Sequence, residues 1–106
     1  MASDMDFVNY VMEQINGTGD VSSKKMFGEY MVYVNQKPLI LICDNTAYVK
    51  KLDAVRELLT TEETGVPYQG AKEHYILDVD NGKEMKNVVK VLEKIIPIPK
   101  KKTKKK

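Results

Sequence analysis

Cysteine and histidine are nearly missing from this sequence: Cys43 and His74 are the only representatives. A single cysteine forms no internal disulfide, which fits a reducing cytoplasm. One histidine and one cysteine fall short of the three or four nitrogen and sulfur ligands that zinc takes. The carboxylates are scattered, and Glu62 with Glu63 reads as a solvated pair, so no metal and no other cofactor is expected. Long apolar runs are lacking too. The longest, Pro38–Cys43, is far short of the ~18 residues of a spanning helix, so no transmembrane segment is expected. The opening "MASDMDF" has early aspartates and no apolar stretch behind a basic start, unlike a secretory signal. The segment "GTGD" at 17–20 lacks the P-loop lysine and precedes a strand rather than a helix. The sequence carries no internal repeat.

What is present suits one ordinary globular domain. The chain has 106 residues, 42% hydrophobic and 30% charged, enough for a core without metals or disulfides. The formal charge of +2 conceals a division. Six of the 17 basic residues lie in the closing "KKKTKKK"; the remainder carries 11 basic against 15 acidic residues, or −4. The expected organisation is a mildly acidic domain over 1–97 and a disordered lysine-rich tail over 98–106.

Periodicity lays out the elements. Residues 4–16 place Phe7, Val8, Val11, Met12 and Ile15 on one helical stripe, with Ser3 as cap and Gly17 as stop. The period then falls to two. Strands are expected at Ser22–Phe27, Glu29–Asn35, Leu39–Cys43 and Thr46–Lys50, with "NQKP" and Asp44-Asn45 as turns. A short helix over 54–59, capped by Asp53, precedes a long connection over 60–72, which is unusual in a compact domain. Glu73–Val79 alternates as a fifth strand. A final helix runs from about Gly82 to Ile96, capped by Asn81, with Met85, Val88, Leu92 and Ile95 along one face, and Pro97 stops it. The order αββββαβα gives a two-layer α+β fold: an antiparallel sheet of about five strands with helices packed on one face. The second face, with Met31 and Tyr33, must be covered by loops, by the middle helix, or by a partner as in a homodimer.

"KKMFGEYMVYVNQKPLILICDNTAYVK", "GVPYQGAKEHYI" and "IPIPKKKTKKK", together with the opening "DFVNYVMEQINGTGDVSSKKMFGEY", resemble the TfoX N-terminal domain family over nearly the whole chain. The most specific parts are Lys25-Met26-Phe27-Gly28 and the Pro67-Tyr68, Ala71-Lys72 and Tyr75 block; neither is a catalytic motif. The resemblance implies a fold similar to secretion-chaperone-like domains. It also implies kinship with a competence regulator, also called Sxy, that works with the cyclic AMP receptor protein and has a second domain. This chain looks like the N-terminal module standing alone.

Few residues offer chemistry, so no catalytic residue and no enzymatic activity are expected. Lys24 and Lys25 beside Phe27 can receive a phosphate and stack a base. The alternative puts Met26 and Phe27 in the core, with Gly28 as a bend between strands. Tyr68, with Lys72 nearby, reads either as an exposed recognition aromatic or as a pin for the long loop. His74 and Tyr75 beside that loop form the alternative small-ligand or enzymatic site, although nothing marks the orienting group a catalytic base needs. Cys43 ends an apolar strand, where an inert thiol is the default. Lys100, Lys101, Lys102, Lys104, Lys105 and Lys106 can contact nucleic acid weakly and without sequence preference, contact an anionic membrane surface, or only solubilise the chain. The expectation is a cytoplasmic regulatory or adaptor module acting on a protein partner.

Overall fold

The computed structural model describes residues 5–26, 29–60 and 63–96. Helix α1 spans Met5–Gln14, followed by strands β1 Val21–Met26, β2 Glu29–Val34, β3 Lys37–Cys43 and β4 Thr46–Lys50. Next come α2 Asp53–Arg56, β5 Thr64–Gly65, β6 His74–Ile76 and α3 Gly82–Ile95. The strands form one antiparallel sheet in the order β1-β2-β3-β4-β6-β5. The architecture is the expected α+β fold, with six strands rather than about five.

The first four strands form the meander because each connection is too short for anything else. Asn35 and Gln36 have φ of 53° and 70°, and Asp44 and Asn45 have 52° and 54°. Two successive positive-φ residues make the turn whose twist matches a two-residue hairpin. Between β2 and β3 the pairing steps from Val32↔Ile40 to Tyr33↔Pro38, leaving Leu39 as an extra residue. This bulge sends both Leu39 and Ile40 into the core. Pro38 is tolerated because β4 pairs only with Leu41–Cys43, so the proline's missing donor lies on an unpaired flank.

All three helices cover one face. Val8, Val11 and Ile15 from α1 and its end, Val55 from α2, and Met85, Val88, Val89 and Leu92 from α3 share one cluster with Val32, Val34, Ile40, Ile42, Ala47, Val49 and Tyr75 of the sheet. Burial of each valine, isoleucine, leucine or methionine among them contributes about 1.5–3 kcal/mol before ordering entropy is subtracted. The turn after α1 contains Gly17 at φ 95°, a left-handed position suited to glycine. The side chain of Asn81 accepts from Glu84 N–H at 3.1 Å, the expected cap of α3. The expected cap Ser3 lies outside the described residues.

Four elements depart from the pattern expected of the sequence. Helix α2 is a single turn, and Leu52 occupies its N-cap without a side-chain bond; Asp53 is already helical. Its turn is held by Val55 in the core rather than by a cap. The fifth expected strand is shorter, His74–Ile76; Leu77 N–H still reaches Ala47 O at 2.9 Å, in register with Tyr48↔Ile76, before the chain turns. Ile95 is 50% exposed, because it lies at the margin of the apolar stripe, and Ile96 packs against the core instead. Finally, the connection over 60–72 contains β5. Two residues are too few to show a period; the strand exists because Ile76 N–H reaches Glu63 O at 2.9 Å and Thr64 Oγ1 donates to Glu73 at 2.7 Å.

Candidate interaction surface

Strand register decides which side chains meet on the face opposite the helices. Met31 pairs with Leu41, Leu41 with Tyr48, and Tyr48 with Ile76. Paired residues share a face, so these four stand side by side, with Tyr33 and His74 on the same side. All six are half-buried, and none belongs to the core cluster. Helix α2 packs on α3 and sends Val55 into the core, so the middle helix does not cover this face. Among the described residues, no helix does.

The two lysines read as a patch do not form one. Lys24 pairs with Met31 and lies on the bare face, whereas Lys25 pairs with Tyr30 on the helix side. Consecutive strand residues point to opposite faces, so their charges diverge. Phe27, expected beside them, lies outside the described residues, as do Lys100, Lys101, Lys102, Lys104, Lys105 and Lys106.

Tyr75 is not available to a ligand: it is 5% exposed in the core, between Val49 and Thr64. His74 alternates to the bare face. Its Nδ1 lies 2.7 Å from Lys72 O, and since a carbonyl only accepts, Nδ1 carries the proton. The ring meets Tyr48 edge-on, with centroids 6.4 Å apart and planes at 86°. Lys72 is exposed. Tyr68 is 59% exposed, so its ring is displayed rather than packed as a pin, and Val66 beside it is 53% exposed.

Cys43 and His74 are held apart by the ladder. Cys43 pairs with Thr46 and His74 with Lys50, four residues along β4, or roughly 13 Å at strand rise. Burial pushes the Cys43 thiol up to about 11, with the charges of Glu29 and Asp44 adding to it. A thiol in that state is a poor nucleophile. Two shallow grooves open elsewhere, one lined by Asp53, Arg56, Glu57 and Leu59, the other by Asn9, Met12, Glu13, Asn16 and Val21. Neither is lined by Tyr68, Lys72 or His74. Among the described residues, no group of three or more histidine, cysteine, aspartate or glutamate side chains is placed to hold a metal. No helix among them is long and apolar enough to cross a membrane.

The polar contacts that are well formed tie elements together. Tyr10 Oη donates to Asp80 at 2.7 Å, which raises the phenol pKa, and Gln14 Nε2 donates to Val79 O. Lys37 pairs with Glu93 at 3.2 Å and also donates to its backbone carbonyl, capping the end of α3. Hydrogen bonds from Asn35 and Lys37 hold the Glu93 carboxyl below its usual range. Glu84, 7% exposed, accepts from Thr60 N–H at 2.8 Å and from Thr60 Oγ1, docking the end of the α2 segment on α3. The sequence marked Glu84 only as a helix-start residue; nothing local announced its partner 24 positions away.

Among the described residues, these features define a small α+β scaffold whose sheet is clothed by helices on one side and left without a helix on the other. The particular lineage follows from comparison with known proteins. The chain belongs to the TfoX N-terminal domain family, whose model matches residues 13–90. It is also 34% identical over 102 residues to an uncharacterized 12.7 kDa protein in the trpE 5′ region of Spirochaeta aurantia, covering 94% of this chain and 89% of that relative.

Proposed function

We propose that this protein is a non-enzymatic regulatory or adaptor domain of the TfoX type, working through protein contacts in the cytoplasm. The observation that carries the reading is the bare sheet face, with Met31, Leu41, Tyr48 and Ile76 aligned across four strands. An aligned apolar surface that none of the described helices covers is what a contact surface requires. Family membership supports a role among regulators of DNA uptake and transcription. The lysine tail adds a weak, sequence-blind contact with nucleic acid.

The test uses the full chain, a form lacking 98–106, and Leu41→Glu, each checked for native circular dichroism. The full chain retains a protein partner that Leu41→Glu loses. Binding to a DNA duplex depends on the tail, with log affinity falling against log salt at a slope of about −5 if all six lysines engage. Failure of every form to retain protein or nucleic acid refutes the reading. So does a partner that Leu41→Glu retains at full strength.

A further inference from the structure

One row of residues crosses the bare face from edge to edge. Lys24 pairs with Met31, Met31 with Leu41, Leu41 with Tyr48, and Tyr48 with Ile76. At the far edge Ile76 N–H donates to Glu63 O at 2.9 Å, which makes Glu63 the next member. A Cβ built on Gly65 would meet Ile76 Cδ1 at 3.1 Å and Tyr48 Cε2 at 3.4 Å, so Gly65 faces the bare side. Strand alternation puts Glu63 on the same side. The row therefore reads cation, four apolar residues, anion. Lys24 and Glu63 are exposed, and the four between them are half-buried.

We propose that this face is the interface of a two-fold homodimer whose axis runs parallel to the strands, between Leu41 and Tyr48. The proposal rests on reading the sheet face as a contact surface, and it names the partner as a second copy of the chain. A two-fold interface must be complementary to itself. Rotation about an axis along the strands reverses the row. Lys24 then faces Glu63 of the partner subunit, twice, while Met31 faces Ile76 of the partner subunit and Leu41 faces Tyr48 of the partner subunit. A two-fold along the row instead would set lysine on lysine and glutamate on glutamate, which electrostatics opposes. The chosen axis keeps the two sets of strands aligned, as face-to-face sheets pack.

The sheet edges offer no comparable route to pairing. Edge strand β1 carries Lys24 and Lys25, and edge strand β5 is two residues long. Charged and very short edges both discourage strand addition. Five inter-strand spacings by the length of a short strand give a footprint of about 400 Å² per partner in projection. That lies below the ~800 Å² per partner of standard stable interfaces, so the dimer is reversible, with dissociation on the order of micromolar.

The experiment is sedimentation equilibrium of the full chain over a concentration range spanning about 5–200 μM, chosen to bracket a micromolar equilibrium. The mass rises with concentration from 12.1 kDa toward twice that value. Leu41→Glu, natively folded by circular dichroism, weakens association at least about tenfold, because it buries a charge at the centre. Lys24→Glu and Glu63→Lys each weaken it roughly three- to tenfold, and the two changes combined in one chain restore it, since the swap recreates both pairs. A constant 12.1 kDa species overturns the dimer, as does indifference to Leu41→Glu or the absence of charge-swap rescue. Dimerisation through these residues only after removal of 98–106 identifies the chain's own tail as the occupant and overturns the second copy. A monomer whose capture of a different protein is abolished by Leu41→Glu overturns the dimer but leaves the adaptor reading standing. If neither association nor capture responds to Leu41→Glu, both fall.

Discussion

Replacing Glu84 by alanine tests how the α2 segment is attached to α3. The carboxylate is 7% exposed and accepts from Thr60 N–H at 2.8 Å and from Thr60 Oγ1. Hydrogen bonds to an ionised acceptor contribute about 1.5–3 kcal/mol each. Loss of an acid in the first turn of a helix costs a further ~0.3–1 kcal/mol. Two terms run the other way. Thr60 is exposed as a residue, so water partly satisfies the freed donors, and removing Glu84 also relieves the cost of burying a carboxylate. The net expectation is destabilisation by about 2–3 kcal/mol, or roughly 8–15 °C in Tm for a domain of this size. Glu84→Gln keeps an acceptor for Thr60 and loses the charge, so it costs about 1 kcal/mol. Urea melts followed by far-ultraviolet circular dichroism supply both figures. The reasoning is refuted if alanine and glutamine behave alike, or if alanine costs under about 0.5 kcal/mol, the level of an ordinary surface change.

Gln36 sits at φ 70° in the β2–β3 turn, so Gln36→Gly removes a left-handed penalty and raises stability by about 0.5–1 kcal/mol, seen as a higher urea midpoint at unchanged slope. The Cys43 thiol, held up near 11 by burial, reacts with iodoacetamide at pH 8 at least about tenfold more slowly in the native than in the unfolded chain; equal rates contradict its placement. Because that folded pKa lies above the unfolded ~8.5, its contribution to stability is complete below ~8.5 and is lost as pH rises toward about 11. The hydrogen bond from Lys51 at 2.7 Å, then that from Thr64, then the Lys51 charge hold the Glu73 carboxyl below its usual range. Its contribution is present above the unfolded value and fades as pH falls through the folded one. A carbon-detected NMR titration shows the Glu73 midpoint moving up in Lys51→Met; an unmoved midpoint argues against the ion pair in solution.

Much of the fold was legible because local rules and tertiary packing agree. The helical stripe of Val8, Val11 and Ile15, the two-residue turns at 35–36 and 44–45, and the Asn81 cap all follow from short-range geometry. The candidate surface was half legible. Period two puts Met31 with Tyr33 on a second face, but alternation within one strand cannot tell which residue of the next strand stands alongside. Register is a property of two strands, and at Leu39 a bulge resets it. Tyr75 illustrates the loss: the sequence offers it beside His74 as a binding residue, and its place between β4 and β5 buries it.

By itself, then, the sequence determined the kinds of element, most of their limits and the scarcity of reactive side chains. These depend on residues within a few positions of one another. Long-range packing alone brings α2 into the helical layer, makes Thr64–Gly65 an outer strand, and sets Lys24, Leu41, Tyr48 and Glu63 in one row. Those outcomes turn on hydrogen bonds and contacts between segments tens of residues apart, and the local pattern of hydrophobicity carries no record of them.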